Sequence, residues 1–164
     1  MLCFSLLINV CIMADNNISQ PLRIEADISL FEIGTDISFL DLDNSHLKFH
    51  ILVNTSTFLP YFIVRSGDFT FKVAFKNNVV VAIFVEKPIF LLPDKLFKTP
   101  EGIFIGMSYQ DLHKLFPKIK LMEKRGFAYE VLLPSGWKIG FTTGRGATDY
   151  FPNPEDIITM IYKN

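Results

Sequence analysis

The chain has 164 residues, 49% of them hydrophobic, with 17 phenylalanines and a formal net charge of −1. That is enough apolar material for one ordinary domain or two small modules on a shared core, and it excludes compositional disorder. Lys, Arg, Asp and Glu are spread along the sequence without a basic stripe, which sets nucleic-acid binding aside.

The sequence opens on an apolar run from Met1 to Ala14, followed by the polar Asp15, Asn16 and Asn17. The run has the length of a signal peptide's apolar region and is too short for a bilayer, which needs about 20 apolar residues. Residues 1–14 are therefore expected to be an export signal, and the mature protein periplasmic or secreted. The missing positive N-terminal region argues against this, and a buried N-terminal strand is the alternative. Both cysteines, Cys3 and Cys11, fall inside the run, so its removal leaves no disulfide or thiol chemistry.

Alternation of Leu22, Ile24, Ala26 and Ile28 with polar residues predicts a half-buried strand over residues 22–28. Gly34 then turns the chain, and Thr35 or Asp36 caps a short predicted helix carrying Ile37, Phe39 and Leu40. Strands are predicted over residues 47–53 and 61–64. A hairpin joins residues 69–75 to 79–85 through Asn77-Asn78, a pair tolerant of positive φ. Prolines at 88, 93 and 100 punctuate a boundary. The second half then reads as a strand at residues 103–105, a turn at Gly106 and a helix over residues 109–116. Ser108 and Asp111 have capping-box spacing, and Pro117 stops the helix. Strands follow over residues 127–133, 137–141 and 157–162.

The second half repeats the first. Ile33-Gly34-Thr35-Asp36 echoes Ile105-Gly106-Met107-Ser108, and Lys72-Val73-Ala74-Phe75 matches Lys138-Ile139-Gly140-Phe141. The last strand is matched with Val81 against Ile157. The repeat predicts an α+β fold of two related modules, residues 20–92 and 99–164, each with short helices packed on one face of an antiparallel sheet. Where the first hairpin turns on two asparagines, the second runs through a long loop over residues 142–155. Loops of that length inside a compact domain are functional or disordered.

A strand, Gly-Met-Ser, a short helix and a Trp-bearing antiparallel hairpin together resemble the SmpA/OmlA type of small bacterial envelope lipoprotein. Two such modules in tandem resemble the secreted β-lactamase inhibitory proteins. The resemblance implies a sheet face and loops free to grip a partner protein. It departs in having no disulfides in the mature chain and no convincing acylated cysteine.

Catalytic readings are weak. His46 and His50 alternate with Leu47, Phe49 and Ile51 in strand fashion, which puts them ~13 Å apart, too far for one metal ion. His113 sits on the second helix, but Ser108 five residues away is committed as a cap. Gly144-Arg145-Gly146 lacks a phosphate loop's Lys-Ser/Thr ending. The expectation is a noncatalytic, exported protein-binding protein without metal or cofactor, of inhibitor, immunity or envelope-assembly type. Its grip is assigned to a sheet face and to Arg145, Asp149, Tyr150 and Phe151, with Asn153 fixing the loop, because aromatic and Arg side chains dominate interfaces. The alternatives are a small-molecule or lipid carrier, with phenylalanines lining a cavity between sheet and helices, and a hydrolase.

Overall fold

Two glycines at positive φ, Gly34 (91°) and Gly106 (101°), hold equivalent turns in the two halves of the structure. The computed structural model describes residues 11–13, 20–42, 48–54, 56–87, 96–124, 128–141 and 151–164. Each glycine N–H is hydrogen-bonded to a later segment, Gly34 to the Val80 carbonyl at 2.9 Å and Gly106 to that of Ile158 at 2.8 Å. Glycine is favoured at such a φ because a Cβ strains the backbone there.

The strands are β1 (Cys11–Met13), β2 (Arg23–Glu25), β3 (His50–Leu52), β4 (Phe58–Ser66), β5 (Phe69–Lys76) and β6 (Val79–Val85). After one α-helix, α1 (Tyr109–Leu115), come β7 (Met122–Lys124), β8 (Ala128–Leu132), β9 (Lys138–Phe141) and β10 (Met160–Lys163). They form one sheet in the order β1-β2-β4-β5-β6-β10-β9-β8-β7, with β3 paired to the first part of β4. Asn77 and Asn78, both at positive φ, make the tight turn between β5 and β6.

The expected fold of short helices on antiparallel sheets in two modules is not what the chain forms. Nine strands run in one mixed sheet, and there is a single α-helix among the described residues. The first predicted helix is a 3₁₀ turn, Ser38–Leu40. Asp36 accepts the Ser38 N–H at 2.8 Å, and the turn ends at once because Asp41 takes a left-handed conformation, φ 45°. Aspartate and serine compete with helix for their own backbone groups. The second copy continues as Gln110-Asp111-Leu112-His113-Lys114-Leu115, without that interruption, and completes two turns. The sheet is also not purely antiparallel, since β2 runs parallel to β4 with Ile24 opposite Val64.

The two halves meet where β6 pairs with β10, and Phe84 lies opposite Tyr162 there, their rings stacked 5.4 Å apart. Pairing repeats outward from this join. Lys72 faces Phe84 as Lys138 faces Tyr162, and Phe62 faces Val73 as Val131 faces Ile139. The β3–β4 pair then corresponds to β7–β8, because Phe49 accepts the Tyr61 N–H just as Met122 lies opposite Glu130. The bridges Asp36–Val79 and Ser108–Ile157 set Val79, not Val81, against Ile157. The sequence match of the last strand is therefore two residues out, a slip that keeps every side chain on its own face.

The main core lies on one face and spans both halves, with Phe62, Phe71 and Val73 beside Ile139, Phe141 and Ile161. A smaller cluster on the other face gathers Val53, Ala74, Ala82, Phe84 and Tyr162. No helix among the described residues is long and apolar enough to cross a membrane.

Candidate functional site

Of the residues assigned to partner binding, Arg145, Asp149 and Tyr150 lie outside the described residues. Phe151 and Asn153 stand at the end of the long loop, which is tied to the start of α1. Tyr109 N–H donates to the Asp156 carbonyl at 2.7 Å and Gln110 N–H to that of Pro154 at 2.9 Å. Asn153 closes a turn through its backbone, its N–H donating to Asp156 Oδ2 at 2.7 Å. This brings Phe151 against two tyrosines, edge-on to Tyr109 at 5.9 Å and Tyr129 at 5.8 Å. Phe151 nonetheless remains 60% exposed. Tyr109 also packs edge-on against the buried Phe141 at 5.6 Å, so the exposed ring is braced from the core outward.

Among the described residues the candidate catalytic groups do not assemble. Ser108 caps α1, its Oγ accepting the Asp111 N–H at 3.1 Å and donating to Asp111 Oδ2 at 2.8 Å. Lys114 bonds the other carboxylate oxygen at 2.9 Å, and these contacts, Lys114 first, hold the Asp111 carboxyl below its usual range. His113 turns its ring toward Tyr109 at 6.0 Å. His50 is exposed, its Nδ1 3.2 Å from the Lys48 carbonyl, and His46 lies outside the described residues. Among the described residues no three His, Cys, Asp or Glu side chains are grouped to hold a metal. Of the phenylalanines that the carrier alternative would place around a cavity, Phe31, Phe62, Phe71 and Phe141 are packed in the core and essentially inaccessible.

A groove of about 660 Å³ lies at the end of β8, lined by Leu115, Ile119, Met122, Leu132, Leu133 and Pro134. Leu115, Met122 and Leu132 are exposed there. The exposed Lys118 and Lys120 also line it. Residues 114–124 carry four lysines, Lys114, Lys118, Lys120 and Lys124, against the single acid Glu123, in a chain of net charge −1. Whole-chain balance hides this local excess, which was visible in the sequence beside Leu115 and Met122. The turn closing the groove is pinned by Glu101, whose carboxylate accepts the Ser135 N–H at 2.7 Å and hydroxyl at 2.9 Å. Burial pushes the Glu101 carboxyl up, but these bonds outweigh it and hold it below its usual range.

Scans against family models, curated proteins and solved structures return no match.

Proposed function

We propose that the chain is an exported, noncatalytic binding protein that grips a partner protein, in the manner of an inhibitor, immunity or envelope-assembly factor. The observation that carries this reading is Phe151, 60% exposed yet packed against Tyr109 and Tyr129. A braced aromatic ring gives up little freedom on binding and buries a large apolar area, the character of an interface hot spot. Arg145, Asp149 and Tyr150 extend the grip along the loop. Affinity capture from the cell envelope tests it, comparing the wild-type chain with Phe151→Ala. A partner held in stoichiometric amount should bind the variant at least about 30-fold more weakly, the loss typical of a hot-spot truncation of ~2 kcal/mol. Equal capture by both proteins removes Phe151 from the interface, and an empty capture by the wild type removes the reading itself.

A further inference from the structure

The two halves treat the outer edge of their equivalent strands differently. In the first half β4 is long, and its edge is shared by two partners. β3 pairs Phe58 to Pro60, and β2 takes the next stretch in parallel, pairing Ile63 to Arg65. In the second half β7 covers Ala128 to Glu130, the counterpart of the β3 pairing, and no strand among the described residues follows it along β8. By the registers at the central join, Leu132 corresponds to Ile63 and Leu133 to Val64, after which Pro134 enters a turn closed by the Gly136 N–H on the Leu133 carbonyl at 2.9 Å. Leu132, Leu133 and Pro134 all line the apolar groove.

We propose that the groove is a strand acceptor. It takes an extended peptide segment of a partner protein, of alternating apolar and acidic residues, added in parallel to β8 as β2 is added to β4. The inference deepens the protein-binding reading, by giving the partner's segment a chemistry and a second seat away from Phe151. Backbone direction supports it. Leu133 N–H donates to the Trp137 carbonyl on the β9 side at 2.8 Å, so the N–H and C=O of Leu132 point the opposite way, toward the edge that no described strand covers. The corresponding Ile63 N–H donates to the Leu22 carbonyl of the β2 segment at 2.8 Å.

Side chains set the rest of the specificity. In the first half Leu22 and Ile24 are buried while Arg23 and Glu25 are exposed. A peptide in the same register lays its apolar residues beside Val131 and Leu133 and its outward residues beside Leu132. Lys118 and Lys120 on the opposite wall favour acids at the outward positions and oppose basic ones. Backbone pairing with alternate side chains in pockets is the usual division of labour in strand addition.

The probe is a synthetic peptide with this chain's own β2 sequence, residues 21–27 (Pro-Leu-Arg-Ile-Glu-Ala-Asp), with Arg23 replaced by Glu in the peptide. It is titrated into the full chain while backbone amide resonances are followed. The chain's own β2 stays in its seat because it is tethered there. Saturable shifts centred on the Leu132 and Leu133 amides are expected. Leu132→Pro removes the outward donor without touching the bonds to β9, and should weaken binding about tenfold. Lys118→Glu/Lys120→Glu alters only exposed positions, should leave the fold intact and should weaken binding comparably. Absence of saturable shifts at these amides overturns the proposal, and so does binding that neither variant weakens. Sodium oleate shifting the same amides while the peptide leaves them unmoved also overturns it, and makes the groove an acyl-chain site. A partner captured from the envelope and fully retained by Leu132→Pro leaves protein binding standing and removes the groove from it.

Discussion

Tyr162 illustrates how single side chains hold this sheet. Its ring is fully buried at the join of the two halves, and its hydroxyl donates to the buried Glu130 two strands away. Gly140 of β9, which has no side chain, is paired with Glu130 on one side and Met160 on the other. In the other half Ala74 and Tyr61 hold the places of Gly140 and Glu130, and Phe84, with no hydroxyl, stands where Tyr162 does. Burial first, then the hydrogen bond and charge of Glu130, raise the pKa of Tyr162 well above its ordinary value. A raised pKa means that the folded chain holds the phenolic proton more tightly than the unfolded one. Its contribution is fully present below the unfolded pKa of ~10 and is lost as pH rises through the folded value. Tyr162→Phe should cost about 1–3 kcal/mol at neutral pH, because the buried carboxylate loses this donor. Urea titrations at pH 8 and pH 11 check both points. The wild-type midpoint should fall more steeply than that of Tyr162→Phe, and parallel falls would show that Tyr162 does not link stability to pH.

Among the elements, α1 depends most on local chemistry. Seven residues are too few for a helix to persist alone in water. Its Leu112 is buried, and the Leu112 N–H donates to the Ser108 carbonyl at 3.0 Å. Ser108→Ala removes the cap and should cost about 1 kcal/mol, seen as a lower urea midpoint and faster hydrogen exchange at Leu112 and Phe116. The cap should also weaken as pH falls through the lowered pKa of Asp111, since its carboxylate then stops accepting from Ser108 and Lys114. Features of this kind were legible in the sequence. A serine cap, a proline stop and an Asn-Asn hairpin turn are each decided within a few residues. The parallel pairing of β2 on β4 and the join of β6 to β10 were not legible, because alternation assigns a residue to a face and leaves its partner strand open. The groove was hidden for the same reason. Its lysines and exposed apolar residues stand in the sequence, but that no described strand pairs with Leu132 along its outer edge appears only once the described strands are placed.

At the scale of the molecule, pairing between the halves decides whether the repeat behaves as two bodies or one. β6 and β10 share backbone pairing, and the main core runs through both halves. An aromatic path makes the link concrete. Phe97 packs edge-on to Phe69 at 5.7 Å and Phe71 at 5.4 Å, and meets Trp137 at 5.2 Å. Trp137 is the chain's one tryptophan, so its fluorescence reports on the second half from a position in contact with the first. Phe62, on β4 in the first half, is buried against Phe31 and Phe75. Phe62→Ala should cost about 3–5 kcal/mol through lost burial and a cavity. In a single cooperative unit that loss lowers the Trp137 fluorescence midpoint in urea as far as the midpoint followed by circular dichroism, and both stay single transitions. In two independent modules the fluorescence midpoint stays at its wild-type value while circular dichroism splits into two steps. The continuous sheet predicts the first result, because unfolding β4 and β5 strips β6 of one partner and exposes the core side chains on which Trp137 rests.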